Sequence, residues 1–170
     1  IKEELYEDSL NWFTKALNLK PTVDLLLNKS NCLNRLGRLD EARILLERVK
    51  DEFKLDHLKT KKLLEISFRN NIDLANENVK EYRYEKAIEF FQLAIINNED
   101  KSCLSKIASC FLKINRYDKA FSSIEEFLCL NPTKEKEANN LFADYYSALG
   151  LRELENANYD NAISFFDQAI

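Results

Sequence analysis

The chain has 170 residues, 45% of them hydrophobic, with a formal net charge of −4 and a pI near 5.2. That is enough apolar material for one sizeable core or a short repeat array, and too much for a disordered chain. The acidic balance argues against a general nucleic-acid binder, which carries a basic surplus, and no apolar run approaches the ~20 residues that span a bilayer.

The only glycines and prolines are Pro21, Gly37, Pro132 and Gly150, which leaves little room for sheet turns, so the predicted class is all-α. Ile1–Leu5 reads as the last turn of one helix. Tyr6-Glu7-Asp8-Ser9 opens another, with Trp12, Phe13, Ala16 and Leu17 inward, and Pro21 ends it. The chain, opening without Met, reads as a piece of a longer protein. Residues 22–54 carry a helix faced by Leu26, Ser30, Leu33 and Leu36, a turn at Gly37, and a second helix faced by Ala42, Leu46, Val49 and Phe53. Residues 55–99 hold an overlong helix, Asp56–Glu81, with Asp56 as its cap and Leu58, Leu64, Phe68, Ile72 and Ala75 as its stripe. Tyr84, Ala87, Phe91 and Ala94 mark its shorter partner.

Residues 100–132 are the most regular stretch. Leu104, Ile107, Ala108, Phe111 and Ile114 form one helical face, and Tyr117, Ala120, Ile124, Phe127 and Leu130 the next. Residues 133–170 repeat the long-short pattern. A helix over Thr133–Asn156 contains Phe142, Tyr146, Leu149 and Gly150, and its partner contains Tyr159, Ala162, Phe166 and Ala169.

The spacing of equivalent small residues alternates: 33 from Ser9 to Ala42, 45 to Ala87, 33 to Ala120 and 42 to Ala162. Eleven extra residues are close to three helical turns, which lengthens a helix without rotating its buried face. YEKAIEFFQLAI at 84–95 recurs as YDNAISFFDQAI at 159–170, 75 residues later, which marks an internal duplication of a long-short pair.

Leu104, Ala108, Phe111, Tyr117, Ala120, Phe127 and Pro132 stand in the order and spacing of a tetratricopeptide repeat (TPR), a helix–turn–helix unit of about 34 residues that the stretch resembles. The resemblance covers most of the chain and implies one irregular array over 1–170, divided at 1–21, 22–54, 55–99, 100–132 and 133–170. It implies helix pairs stacked into a right-handed superhelix, a solenoid whose first helices line a concave groove for extended peptides or partner helices. The implied job is a non-enzymatic protein–protein scaffold within a multi-subunit assembly. The alternative is a sensor or regulatory domain of a larger enzyme or DNA-binding protein.

Chemistry beyond binding is sparse. Cys32, Cys103, Cys110 and Cys129 form no CxxC pair, and His57 is the one histidine, so neither a zinc site nor a disulfide framework is expected. The cysteines read as reduced residues, Cys32 and Cys110 of them in the core, of a cytoplasmic or nuclear protein. One imidazole at a helix start is a poor basis for acid–base catalysis. Asp40-Glu41 and Glu125-Glu126 read as solvated faces, two isolated glycines exclude a phosphate loop, and no cofactor is expected.

What the resemblance assigns is a set of peptide-binding positions. The thirteenth position of three successive repeats holds Arg35, Lys80 and Lys113, and the ninth holds Asn31, Asn76 and Ser109. Asn28 matches the clamp asparagine of chaperone-binding members. The lysine four residues before a first-repeat clamp asparagine is missing, with Leu27 and Ile72 in its place, which speaks against a chaperone clamp. Cations beside hydrogen-bonding groups suit an acidic extended peptide. Nothing in the sequence points to nucleic acid or membrane insertion.

Overall fold

A computed structural model describes residues 2–96 and 101–170. The expected boundary at 99–100 lies outside the described residues. Among those residues there are nine α-helices and no strand. They are α1 (Lys2–Leu19), α2 (Val23–Arg35), α3 (Leu39–Glu52), α4 (His57–Lys80), α5 (Tyr84–Ile96), α6 (Cys103–Lys113), α7 (Tyr117–Leu130), α8 (Glu135–Glu155) and α9 (Tyr159–Gln168), with one 3₁₀ turn at Pro132–Lys134. The chain forms two compact units, Ile1–Leu74 and Ala75–Ile170, which divide inside α4.

Four turns join α2 to α3, α4 to α5, α6 to α7 and α8 to α9, and they are the same turn hydrogen bond for hydrogen bond. At the first, Gly37 N–H donates to Asn34 O (3.2 Å) and Arg38 N–H to Leu33 O (2.9 Å). The pattern recurs as Tyr82 to Val79 and Arg83 to Asn78, as Asn115 to Leu112 and Arg116 to Phe111, and as Ala157 to Leu154 and Asn158 to Glu153. This is the Schellman closure, which satisfies carbonyls at a helix end and needs one left-handed residue. That residue is Gly37, Tyr82, Asn115 or Ala157, at φ of 72°, 59°, 58° and 60°. Five residues after it stands a buried alanine, Ala42, Ala87, Ala120 or Ala162, where a longer side chain would hold the two helices apart.

In the first unit, Leu26 and Leu27 of α2, Leu46 and Val49 of α3, and Leu63 and Ile66 of α4 form one core cluster. Leu10 of α1 packs with Leu33 and Ala42 in a second. Thr22 caps α2 by accepting from Leu25 N–H at 3.4 Å. In the second unit, Phe91, Phe127 and Ile124 are the largest fully buried side chains, with Leu104, Ile107, Ala108 and Phe111 of α6 beside them in the core.

Three expectations are corrected. Lys2–Leu19 is a single helix, with no break between Leu5 and Tyr6. Its buried residue is Leu10, and Trp12, two residues on and so about 200° round the helix, is 70% exposed with Lys15 Nζ 5.2 Å from its ring. On α4 Leu63, Ile66, Asn70 and Leu74 are buried, while of the expected stripe Ala75 is buried, Phe68 and Ile72 are half-buried, and Leu58 and Leu64 are exposed. An apolar-only pattern misses this phase because Asn70 occupies a core position. Asn70 Nδ2 donates to Asn34 Oδ1 (2.7 Å) and Leu39 O (2.9 Å), which makes its burial tolerable. The long helices themselves match their expected spans closely. Asp56 caps α4 by accepting from Lys59 N–H at 2.8 Å, and α8 follows the 3₁₀ turn without a break.

Candidate peptide-binding faces on the first helices

Asn28, Asn31 and Arg35 lie at intervals of three and four along α2, hence on one face. α4 answers with two cations. Lys62 Nζ donates to Asn28 Oδ1 at 2.8 Å, and Arg69 Nη1 donates to Asn31 Oδ1 at 3.2 Å. Deeper in the same face, Asn34 and Asn70 make the buried pair described above. Arg35 extends past this ladder and is exposed.

The second unit carries a counterpart. Asn76 and Lys80 occupy the last turns of α4, and Ser109 and Lys113 sit on α6. Lys106 Nζ donates to Asn76 Oδ1 at 3.2 Å and stands 5.5 Å from the Phe91 ring centroid. Ser109 donates to Ser105 O (3.1 Å) within its own helix, so its hydroxyl oxygen still accepts. Lys80 and Lys113 are exposed.

These pairs fix each asparagine's orientation. An ammonium or guanidinium can only donate, so the carbonyl of Asn28, Asn31 and Asn76 must turn toward it and the NH₂ must turn away. Most of the remaining capacity on both faces is therefore donor: amide N–H, unused ammonium and guanidinium N–H, and the exposed heads of Arg35, Lys80 and Lys113. Asp24, Glu65 and Asp73 are acidic residues that share the helix faces in question. Lys62, Arg69 and Lys106 are absent from the expected set. Lys62 and Arg69 fall seven residues apart on α4, and that spacing is the signal that marks them as one stripe.

Nothing else among the described residues competes as a chemical site. His57 is exposed at the first position of α4, and no group of three His, Cys, Asp or Glu is placed to hold a metal. Cys32, Cys103 and Cys110 are buried thiols and Cys129 an exposed one. No helix among the described residues is long and apolar enough to cross a membrane. A shallow cleft of about 300 Å³ lined by Arg116, Tyr117, Asp118, Lys119 and Arg152 opens at the start of α7, with Arg152 5.1 Å from the Tyr117 ring centroid.

Repeated helix pairs closed by one hydrogen-bonded turn make this architecture TPR-like. No family model matches the chain, and no curated protein matches it. It is similar in structure to a crystal structure of MamA, at 20% identity and a TM-score of 0.47, over 96% of this chain and 86% of that one. A MamA RS-1 double mutant gives 14% and 0.49, over 96% and 83%. BtubC from P. vanneervenii gives 18% and 0.44, over 98% and 70%.

Proposed function

We propose that this chain is a non-enzymatic interaction scaffold whose first-helix faces bind an extended, acidic segment of a partner protein. The observation that carries the reading is the orientation of the amides. Cations locked on Asn28, Asn31 and Asn76 leave faces rich in donors on a protein that is acidic as a whole. An extended peptide presents backbone carbonyls every residue and, when acidic, carboxylates between them, so both kinds of acceptor meet donors. The cations steer the approach, and their contribution is screened by salt.

The test is a charge reversal of Arg35, Lys80 and Lys113 to Glu. All three are exposed, so the melting temperature should stay within about 2 °C of the wild type, as surface changes away from packing cost within ±0.5 kcal/mol. Binding of a fluorescein-labelled dodecapeptide of alternating Glu and Ser should weaken at least tenfold. The wild-type affinity should itself fall as NaCl rises from 50 to 500 mM. A triple variant that binds the peptide and captures every partner as the wild type does places the binding surface elsewhere.

A further inference from the structure

The four turns share one backbone closure, so the side chain that follows each left-handed residue can be compared directly. At three of them that side chain is bonded to a carboxylate of the chain itself. Arg38 donates to both oxygens of Glu41, at 2.6 and 2.8 Å, Arg83 pairs with Glu81, and Asn158 Nδ2 donates to Glu153 at 2.9 Å. Arg116, at the third turn, has no such partner among the described residues, and Lys119 stands where Glu41 stands at the first.

Arg116 and Lys119 line the cleft of about 300 Å³ together with Asn115, Tyr117, Asp118 and Arg152, all within the second unit. Two of its cations are held over rings, Lys119 Nζ 5.8 Å from the Phe111 centroid and Arg152 5.1 Å from that of Tyr117. A ring face positions a cation without using its N–H groups. Arg152 gives Nε and Nη2 to Glu153 Oε1 and keeps Nη1. The Tyr117 hydroxyl donates to Asn115 Oδ1 at 3.0 Å, which leaves the Asn115 NH₂ as a further donor. Asp118 is the one carboxylate in the lining, against three cations.

We propose that this cleft binds a phosphomonoester group carried on a side chain of a partner protein. The cleft shares no residue with the first-helix faces described above and does not rest on the function given to them. A phosphoryl group brings about −1.5 to −2 charges and three acceptor oxygens. That matches a lining with a surplus of two cations and N–H donors on Asn115, Arg116, Lys119 and Arg152. A carboxylate brings one charge and two oxygens, and would leave a cation unanswered. The chain as a whole carries −4, so it repels a polyanion such as nucleic acid, while the local surplus meets a single dianion. Because the cleft is shallow, a free phosphate keeps much of its water there, whereas one on a side chain adds the contacts of its carrier.

The probe is a fluorescein-labelled dodecapeptide of Gly, Ala and Ser with one central phosphoserine, titrated in 150 mM NaCl. It should bind one to one. The same peptide with serine or glutamate at that place should bind at least tenfold more weakly, as should inorganic phosphate in competition. Lys119→Glu, which recreates the Arg38–Glu41 arrangement at the third turn, should weaken phosphopeptide binding at least tenfold, and so should Arg116→Gln. Both residues are exposed, so the melting temperature should stay within about 2 °C of the wild type. Arg35→Glu combined with Lys80→Glu, on the first-helix faces, should leave the affinity within about twofold. Equal binding of the phosphoserine and serine peptides, or of neither, overturns the proposal, as does binding that Lys119→Glu and Arg116→Gln leave intact. A glutamate peptide as tight as the phosphopeptide would make the cleft an ordinary carboxylate site, and inorganic phosphate as tight would make the ligand a free ion. Either result also overturns it.

Discussion

Ala157 holds a left-handed backbone at φ 60° with a Cβ in place, in the position that Gly37 fills without one. An L-residue there costs about 1–2 kcal/mol, partly offset by the smaller unfolded-state entropy of a residue with a Cβ. Ala157→Gly should therefore stabilise the chain by about 0.5–1 kcal/mol, seen as a higher urea midpoint at unchanged m. Gly37→Ala should shift the midpoint the other way, although nothing lies within 4 Å of the added Cβ, because the strain is in the backbone. Asn70→Ala leaves Asn34 Oδ1 without its donor in a buried setting and removes a second bond to the Leu39 carbonyl, and should cost about 1–3 kcal/mol. Titration gives a further test. Asn158 Nδ2 and the Arg152 guanidinium donate to Glu153, holding its carboxyl below the usual range near 4.5. A lowered value means the stabilisation is complete above that range and is lost as pH falls through it. Glu153→Gln should flatten the acid limb of a melting-temperature profile and leave pH 7–8 curves of similar shape. Burial pushes the Cys110 thiol up to about 11, so at pH 8 iodoacetamide should label exposed Cys129 first and Cys110 only on unfolding.

At the scale of the element, the second-helix alanines set how closely a pair can approach. Ala120 is fully buried. Ala120→Leu should overpack the α6–α7 contact and cost about 1–3 kcal/mol, measured by thermal melting. The lengths of α4 and α8 were legible because whole added turns keep a buried stripe in phase, and because Asp56 and Pro132 are strong start signals. The phase of α4 was not legible, since its core position is an asparagine whose partner lies 36 residues away on α2. The same limit applies to the candidate faces. Arg35, Lys80 and Lys113 stand out by their repeat position. The partners of Lys62, Arg69 and Lys106 show only in the fold, where each reaches an amide on an earlier helix.

At the scale of the molecule, packing is between neighbours. The inter-helix hydrogen bonds described above join residues 30 to 38 apart, about one repeat. Stability in such an array is a sum of pair terms and nearest-neighbour terms, so distant parts need not melt together. With the division into units falling inside α4, calorimetry should give an enthalpy larger than the van't Hoff value from the same scan. A single two-state transition would show instead that α4 transmits unfolding from one unit to the other.

The four identical turns also make the gene divisible. Arg83 and Asn158 close equivalent turns, and Tyr84 and Tyr159 begin equivalent helices. Deleting residues 84–158 therefore joins α4 directly to α9 through a turn that already has every hydrogen bond it needs. The inverse operation, inserting a second copy of 84–158 after Asn158, adds four helices with the same closure. Unequal crossing-over between the two homologous stretches would perform either change without creating a new loop. Either change alters the length by 75 residues and keeps the closing turn, and in the deletion the neighbour of α9 changes from α8 to α4.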